Sequence, residues 1–118
     1  KKLAGNALEI YAGNDDQVIP ILSLGGIGVI SVLSNVRPAA VHDMVMEYLN
    51  GNIKSALDIQ LKYLDLIEAL FCEVNPIPVK AAMKLLGYDV GGLRLPLTEL
   101  EDANRARLKE SMESLKEN

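Results

Sequence analysis

Tyr11-Ala12-Gly13-Asn14-Asp15-Asp16, followed by Leu24-Gly25-Gly26-Ile27-Gly28-Val29-Ile30-Ser31-Val32, is the stretch from which the fold is read. Leu8-Glu9-Ile10-Tyr11-Ala12 is a short run rich in β-formers that stops at Gly13, and Asn14-Asp15-Asp16 can cap a helix N-terminus. A helix from about Asp16 to Leu24 is predicted, closed at Gly25-Gly26, where glycine supplies the left-handed residue. Residues 28–34 then form a β-branched, nearly continuous apolar run of strand length. Continuous rather than alternating hydrophobicity means that both faces are covered, as in a parallel sheet flanked by helices. The unit is strand, helix, strand, with a right-handed crossover expected.

Beyond Asn35 the rhythm is helical only. Pro38 suits a first helical turn, the helix runs to about Leu49, and Asn50-Gly51-Asn52 ends it and starts another. From Ile53 to Phe71 a single helix is predicted, with Ile53, Leu57, Leu61, Leu64, Ile67 and Phe71 on one inward face. Asn75-Pro76-Ile77-Pro78 interrupts it, and Pro78 opens a helix over residues 79–86 that Gly87 stops. Thr98 and Glu101 have capping-box spacing, which starts the last helix at Thr98 and carries it to about Leu115. Its inward side is expected to hold Leu100, Ala103, Leu108, Met112 and Leu115.

Composition narrows the function. The chain has 118 residues, 49% hydrophobic and 24% charged, which suits one folded domain and excludes disorder. With 12 Lys+Arg against 16 Asp+Glu, a net charge of -4 and no basic cluster, no nucleic-acid partner is expected. Residues 17–36 carry no charge over 20 positions, yet Pro20, the Gly25-Gly26-Ile27-Gly28 breaker and five polar side chains make two short buried elements of them, so no membrane span is expected. A single cysteine, Cys72, fits the reducing cytoplasm. The chain opens on Lys1 without a signal-peptide pattern, and two strands with one crossover leave unpaired sheet edges. Both features lead us to expect a piece of a longer protein, or a chain that self-associates.

Several side chains invite chemistry and have plainer readings. Lys80 sits near the start of a short helix after a Pro-rich entry, whereas a nucleophilic lysine needs its amine neutralised by desolvation or a neighbouring cation. Asp15 and Asp16 are read as a helix cap and a dipole-compensating charge rather than metal ligands. Gly25-Gly26-Ile27-Gly28 matches neither phosphate-loop pattern and precedes a strand instead of following one. His42 is the sole histidine, so no histidine triad or multi-histidine metal site can form in one chain, and it is read as a surface or interface contact. Cys72 is read as a half-buried structural thiol.

The two opening segments, together with Asn35-Val36, Asn75-Pro76-Ile77-Pro78-Val79-Lys80 and Leu93-Arg94-Leu95-Pro96-Leu97, resemble the C-terminal part of the dihydrodipicolinate synthases. These belong to the aldolase-type (β/α)8 barrels that form a Schiff base with pyruvate. The resemblance covers nearly the whole chain, and the Asn-Pro-x-Pro-Val-Lys and Leu-Arg-Leu-Pro segments are its most particular motifs. It implies an α/β fold, the C-terminal part of a TIM barrel: residues 1–36 as the last two strand units, two parallel strands with a crossover helix, and residues 37–118 as the final barrel helix and a helical extension. It implies a lyase of lysine and diaminopimelate biosynthesis that condenses pyruvate with aspartate semialdehyde, needs no cofactor or metal, and assembles as a homo-oligomer, typically a homotetramer. The catalytic lysine and tyrosine of that family lie before the segment matched here, so no catalytic residue falls in this chain, and the isolated chain is expected to be inactive. Only Gly13, at the end of the seventh strand, and Ile30, slightly inside the eighth, carry over as substrate-binding positions, near the strand ends where barrel sites form. Gly13 would leave space for substrate, and Ile30 would give apolar contact or serve only the core. Another pyruvate-dependent aldolase, such as an N-acetylneuraminate or sugar-acid lyase, and a non-catalytic self-associating helical module are the alternatives.

Overall fold

A computed structural model describes residues 1–115; residues 116–118, the end of the predicted helical region, lie outside it. Among the described residues the elements are strands β1 (Tyr11–Ala12) and β2 (Gly28–Val29) and helices α1 (Val18–Ser23), α2 (Pro38–Leu49), α3 (Ile53–Lys62), α4 (Leu64–Leu70), α5 (Ile77–Leu85) and α6 (Asp102–Ser114). Short 3-10 turns cover Asp15–Gln17 and Leu33–Asn35. The chain divides into two compact units, residues 1–64 and 65–118. The predicted end of the strand units at residue 36 is a different landmark, because α2 and α3 pack with the strands and α1 in the first unit.

β1 and β2 pair in parallel, Tyr11 opposite Gly28 and Ala12 opposite Val29. Ile27 N–H donates to the Ile10 carbonyl and Ile30 N–H to the Ala12 carbonyl, both at 2.9 Å, which extends the ladder one step each way. One face of this pair is covered: Ala12, Val18, Leu22 and Met44 form a buried cluster, with Ile19, Val45, Tyr48 and Ile59 packed against it. At about 25 cal/mol per Å² of apolar surface withdrawn from water, such side chains supply most of the favourable folding term.

The second strand is shorter than the expected 28–34 run. After Ile30 the backbone turns into the 3-10 segment Leu33–Asn35, because the N–H groups of Val32 and Leu33 are taken by a carboxylate instead of a neighbouring strand. The helix expected from Asp16 begins as a 3-10 turn and becomes α-helical only at Val18. Its end follows the expectation. Gly25 has φ +86, its N–H donates to the Leu22 carbonyl (3.0 Å), and Gly26 N–H donates to the Ile21 carbonyl (2.8 Å), the paired closure of a Schellman motif. α2 and α5 close by the same pair of bonds, from Gly51 and Asn52 and from Gly87 and Tyr88.

Three helical expectations are corrected. The single helix over residues 53–71 is two, interrupted at Tyr63, whose backbone (φ -99, ψ 2) leaves the helical region. The inward face of α3 is also offset by one residue from the predicted stripe. Ala56 and Gln60 are buried, while Ile53, Leu57 and Leu61 are 45, 42 and 57% exposed. The small Ala56 lets α3 approach α1 and α2 closely, which the larger residues would prevent. Finally, α6 starts at Asp102 rather than Thr98, with no side-chain cap from Glu101. Its entry is held by Glu73, whose Oε1 accepts from Glu101 N–H (3.1 Å) and from the Asn104 side-chain amide (2.8 Å). Leu100, Leu108 and Met112 are buried as expected, whereas Ala103 is exposed and Leu115 half-buried.

Among the described residues no helix is long and apolar enough to cross a membrane.

Candidate functional site

The C-terminal ends of the paired strands bring the two predicted substrate-binding positions together. The Ile30 N–H to Ala12 carbonyl bond sets Ile30 beside the residue that precedes Gly13. Ile30 is 71% exposed, so it takes no part in the core among the described residues. At Gly13 an added Cβ would meet nothing within 4 Å. The backbone of this chain therefore does not itself require glycine there.

Immediately beyond both positions lies a buried polar cluster. Asp15 is 1% exposed, and its carboxylate accepts from the Ser31 hydroxyl, from Val32 N–H (2.9 Å) and from Leu33 N–H (3.0 Å). The Ser31 hydroxyl oxygen accepts in turn from Ser34 N–H (2.8 Å). This corrects the reading of Asp15 as a cap of its own helix: it binds the start of the next turn, 17 and 18 residues later. Asn14, at the expected cap position, makes no side-chain cap bond, and Asp16 is exposed. Charge-assisted bonds donated by backbone N–H groups to a carboxylate are about twice as strong as neutral ones, so the cluster fixes the exits of both strands. Buried Gln60 of α3 completes it: its side-chain amide donates to the Asp15 carbonyl (2.8 Å), and its Oε1 accepts from Ile19 N–H (3.4 Å). The sequence reading missed Gln60, since only the offset face of α3 would have marked a glutamine at an inward position.

An apolar cleft of about 330 Å³ opens beside β1 and β2, lined by Tyr11, Gly28, Val29, Pro38, Val41 and Val45 among others. His42 stands on its rim, exposed, with Nδ1 3.2 Å from Asp43 Oδ1. An added Cβ at Gly28 would lie 3.1 Å from the Tyr11 ring, so a side chain there would push the ring aside by a few tenths of an ångström.

The remaining candidates fall in the second unit. Lys80 donates its amine to the Gly92 carbonyl at 2.5 Å, an exposed tether of the loop after α5. Among the described residues no group of histidine, cysteine, aspartate and glutamate could hold a metal. Cys72 is half-buried, as expected. Burial pushes its thiol pKa up and the neighbouring Glu73 carboxylate adds to this, while Arg107 pulls the other way. A raised pKa leaves less thiolate at neutral pH. Alkylation of Cys72 by iodoacetamide at pH 8 is expected to be slower than that of free cysteine, and Glu73→Gln, by removing a negative charge, is expected to accelerate it. Mass spectrometry of the alkylated fraction against time checks both, and equal rates in the two proteins would contradict the second.

Comparison with known proteins gives a consistent result. The profile of the dihydrodipicolinate synthetase family matches residues 1–115. A 4-hydroxy-tetrahydrodipicolinate synthase of Thermoanaerobacter sp. (strain X514) is 58% identical over 108 residues, covering 92% of this chain and 36% of the relative. That of Clostridium tetani (strain Massachusetts / E88) is 56% identical over 112 residues, 95% of this chain and 38% of the relative. The crystal structure of the dihydrodipicolinate synthase of Thermotoga maritima superposes with a TM-score of 0.91 at 39% identity, over 96% of this chain and 38% of that one. This chain thus spans little more than a third of the length of the proteins it matches. With the profile matched along the whole described segment and relatives more than half identical across it, the chain belongs to the dihydrodipicolinate synthetase family.

Proposed function

We propose that this chain supplies the seventh and eighth strand units, residues 1–36, and the following helical region, residues 37–118, of a pyruvate-dependent (β/α)8 lyase that condenses pyruvate with aspartate semialdehyde through a lysine Schiff base. The observation that carries the reading is the strong match to relatives named 4-hydroxy-tetrahydrodipicolinate synthase, on a chain whose strands, among the described residues, are a parallel pair joined by a helix. Gly13 and Ile30 line the pyruvate pocket from the strand ends, where barrel enzymes place their chemistry. Ile30, exposed in this chain, gives the pyruvate methyl side an apolar wall. Gly13 keeps space for the substrate, since among the described residues nothing lies within 4 Å of where its Cβ would stand. The Schiff-base lysine and the proton-relaying tyrosine stand on other strands of the barrel. The open sheet edges and the outward stripe of Ile53, Leu57 and Leu61 are covered in the intact, homo-oligomeric protein.

The reading predicts that the isolated chain has no nucleophile. Incubation of the purified chain with pyruvate and borohydride, which reduces a Schiff base to a stable secondary amine, is expected to leave its intact mass unchanged. A stoichiometric adduct would place the nucleophile among these lysines, Lys80 first, and the reading of the segment would be wrong.

A further inference from the structure

We infer that Gln60 is a positioning residue of the lyase, holding the pocket ends of the two strands in register from a helix outside the strand units; this rests on the reading of Gly13 and Ile30 as pocket residues. Gln60 is 5% exposed. A buried amide is unfavourable unless both its ends are hydrogen-bonded, and for packing alone an apolar side chain of the same length would serve better. Both ends are bonded here, and each partner is informative. The Nε2 group donates to the Asp15 carbonyl at 2.8 Å, two residues beyond Gly13. The carboxylate of that same Asp15 binds the N–H groups of Val32 and Leu33, two and three residues beyond Ile30. One side chain of α3 is therefore attached to the residue that locks the exits of both strands to each other. Its Oε1 accepts from Ile19 N–H (3.4 Å), a first-turn donor of α1 that the residue at the N-cap, Gln17, leaves without a side-chain cap. The backbone that follows Gly13 is thus held at the first residue of the 3-10 turn, Asp15, and again beyond the turn at Ile19. Small displacements of groups that contact substrate have large effects on its binding, so such a fixture acts on the site without touching it.

The test uses the intact lyase carrying Gln60→Met, which fills the same volume without polar atoms, and Gln60→Glu, which keeps the acceptor for Ile19 and loses the donor to Asp15. The readout is the pyruvate concentration that half-saturates borohydride trapping, measured beside thermal stability and the KM for the semialdehyde. Both variants are expected to raise half-saturating pyruvate about tenfold, with the trapped yield at saturation and the semialdehyde KM within about twofold of wild type. A purely structural role would lower the melting temperature and leave half-saturation where it was, and that result in either folded variant overturns the inference. If Gln60→Met fails to fold, Gln60→Glu decides. Ile30→Ala is run in parallel: if it leaves half-saturating pyruvate unchanged, the pocket reading fails and takes the inference with it. If it moves while the Gln60 variants do not, the inference alone fails.

Discussion

Asp15→Ala is expected to lower the unfolding free energy by about 3–5 kcal/mol, the largest loss from any single polar side chain in the first unit. The carboxylate serves three donors, the Ser31 hydroxyl and the N–H groups of Val32 and Leu33. The hydroxyl can rotate to another acceptor. The two N–H groups are fixed by the backbone, and Leu33 is fully buried. Each stranded buried donor costs about 1–3 kcal/mol. Against a typical total of about 5–15 kcal/mol, the loss takes a large share of the stability. Asp15→Asn keeps the shape and one good acceptor but turns an NH2 group toward donors, so an intermediate loss of about 2 kcal/mol is expected. Urea unfolding of the three proteins by circular dichroism checks the order. Equal midpoints for Asp15→Ala and wild type would mean that water or another side chain satisfies Val32 and Leu33.

Gly26→Ala is expected to destabilise by about 2–3 kcal/mol. A Cβ on this residue would lie 2.6 Å from Ile21 Cγ2 and 2.8 Å from the Ile21 carbonyl oxygen. The methyl group could rotate away. The carbonyl cannot, because it accepts the Gly26 N–H that closes α1. Relief of the clash therefore breaks the helix closure. The neighbouring substitution separates two reasons for glycine. The atoms nearest an added Cβ at Gly25 belong to the flexible Lys1 side chain, at 3.4 Å or more, and Gly25→Ala loses about 1 kcal/mol for its left-handed backbone. Thermal unfolding that ranks Gly25→Ala below Gly26→Ala in stability would contradict this division.

What the sequence revealed and what it withheld separate along a physical line. Helix ends were legible because a glycine stop is local: Gly25, Gly51 and Gly87 all follow helices and all have positive φ. The parallel pairing was legible from the continuous apolar run at residues 28–34, though its length was not, since Asp15 captures the backbone of Val32 and Leu33 first. Caps supplied from elsewhere in the fold left no local trace. Thr98 and Glu101 have the right spacing for a capping box, yet the acceptor that serves Glu101 is Glu73, 28 residues earlier. The face of α3 was misjudged because apolar periodicity favours the stripe of large residues at 53, 57 and 61, while close helix packing selected Ala56 and a polar partner for Asp15. Of the candidate site, the positions of Gly13 and Ile30 came from resemblance, and the structure sets them side by side at one sheet end. The bonds that tie Asp15 to the second strand exit and to Gln60 are tertiary and were invisible to spacing arguments.

The sequence separations within that cluster also set an order of assembly. The Asp15 carboxylate reaches partners 16, 17 and 18 residues away, whereas Gln60 closes on Asp15 across 45 residues. By the logarithmic growth of loop-closure entropy, the longer closure is dearer by roughly 0.9 kcal/mol. The separations alone therefore favour locking the strand exits to each other before Gln60 docks. The glutamine then arrives at a preformed acceptor. α3 behaves as a latch that closes on an already fastened hinge.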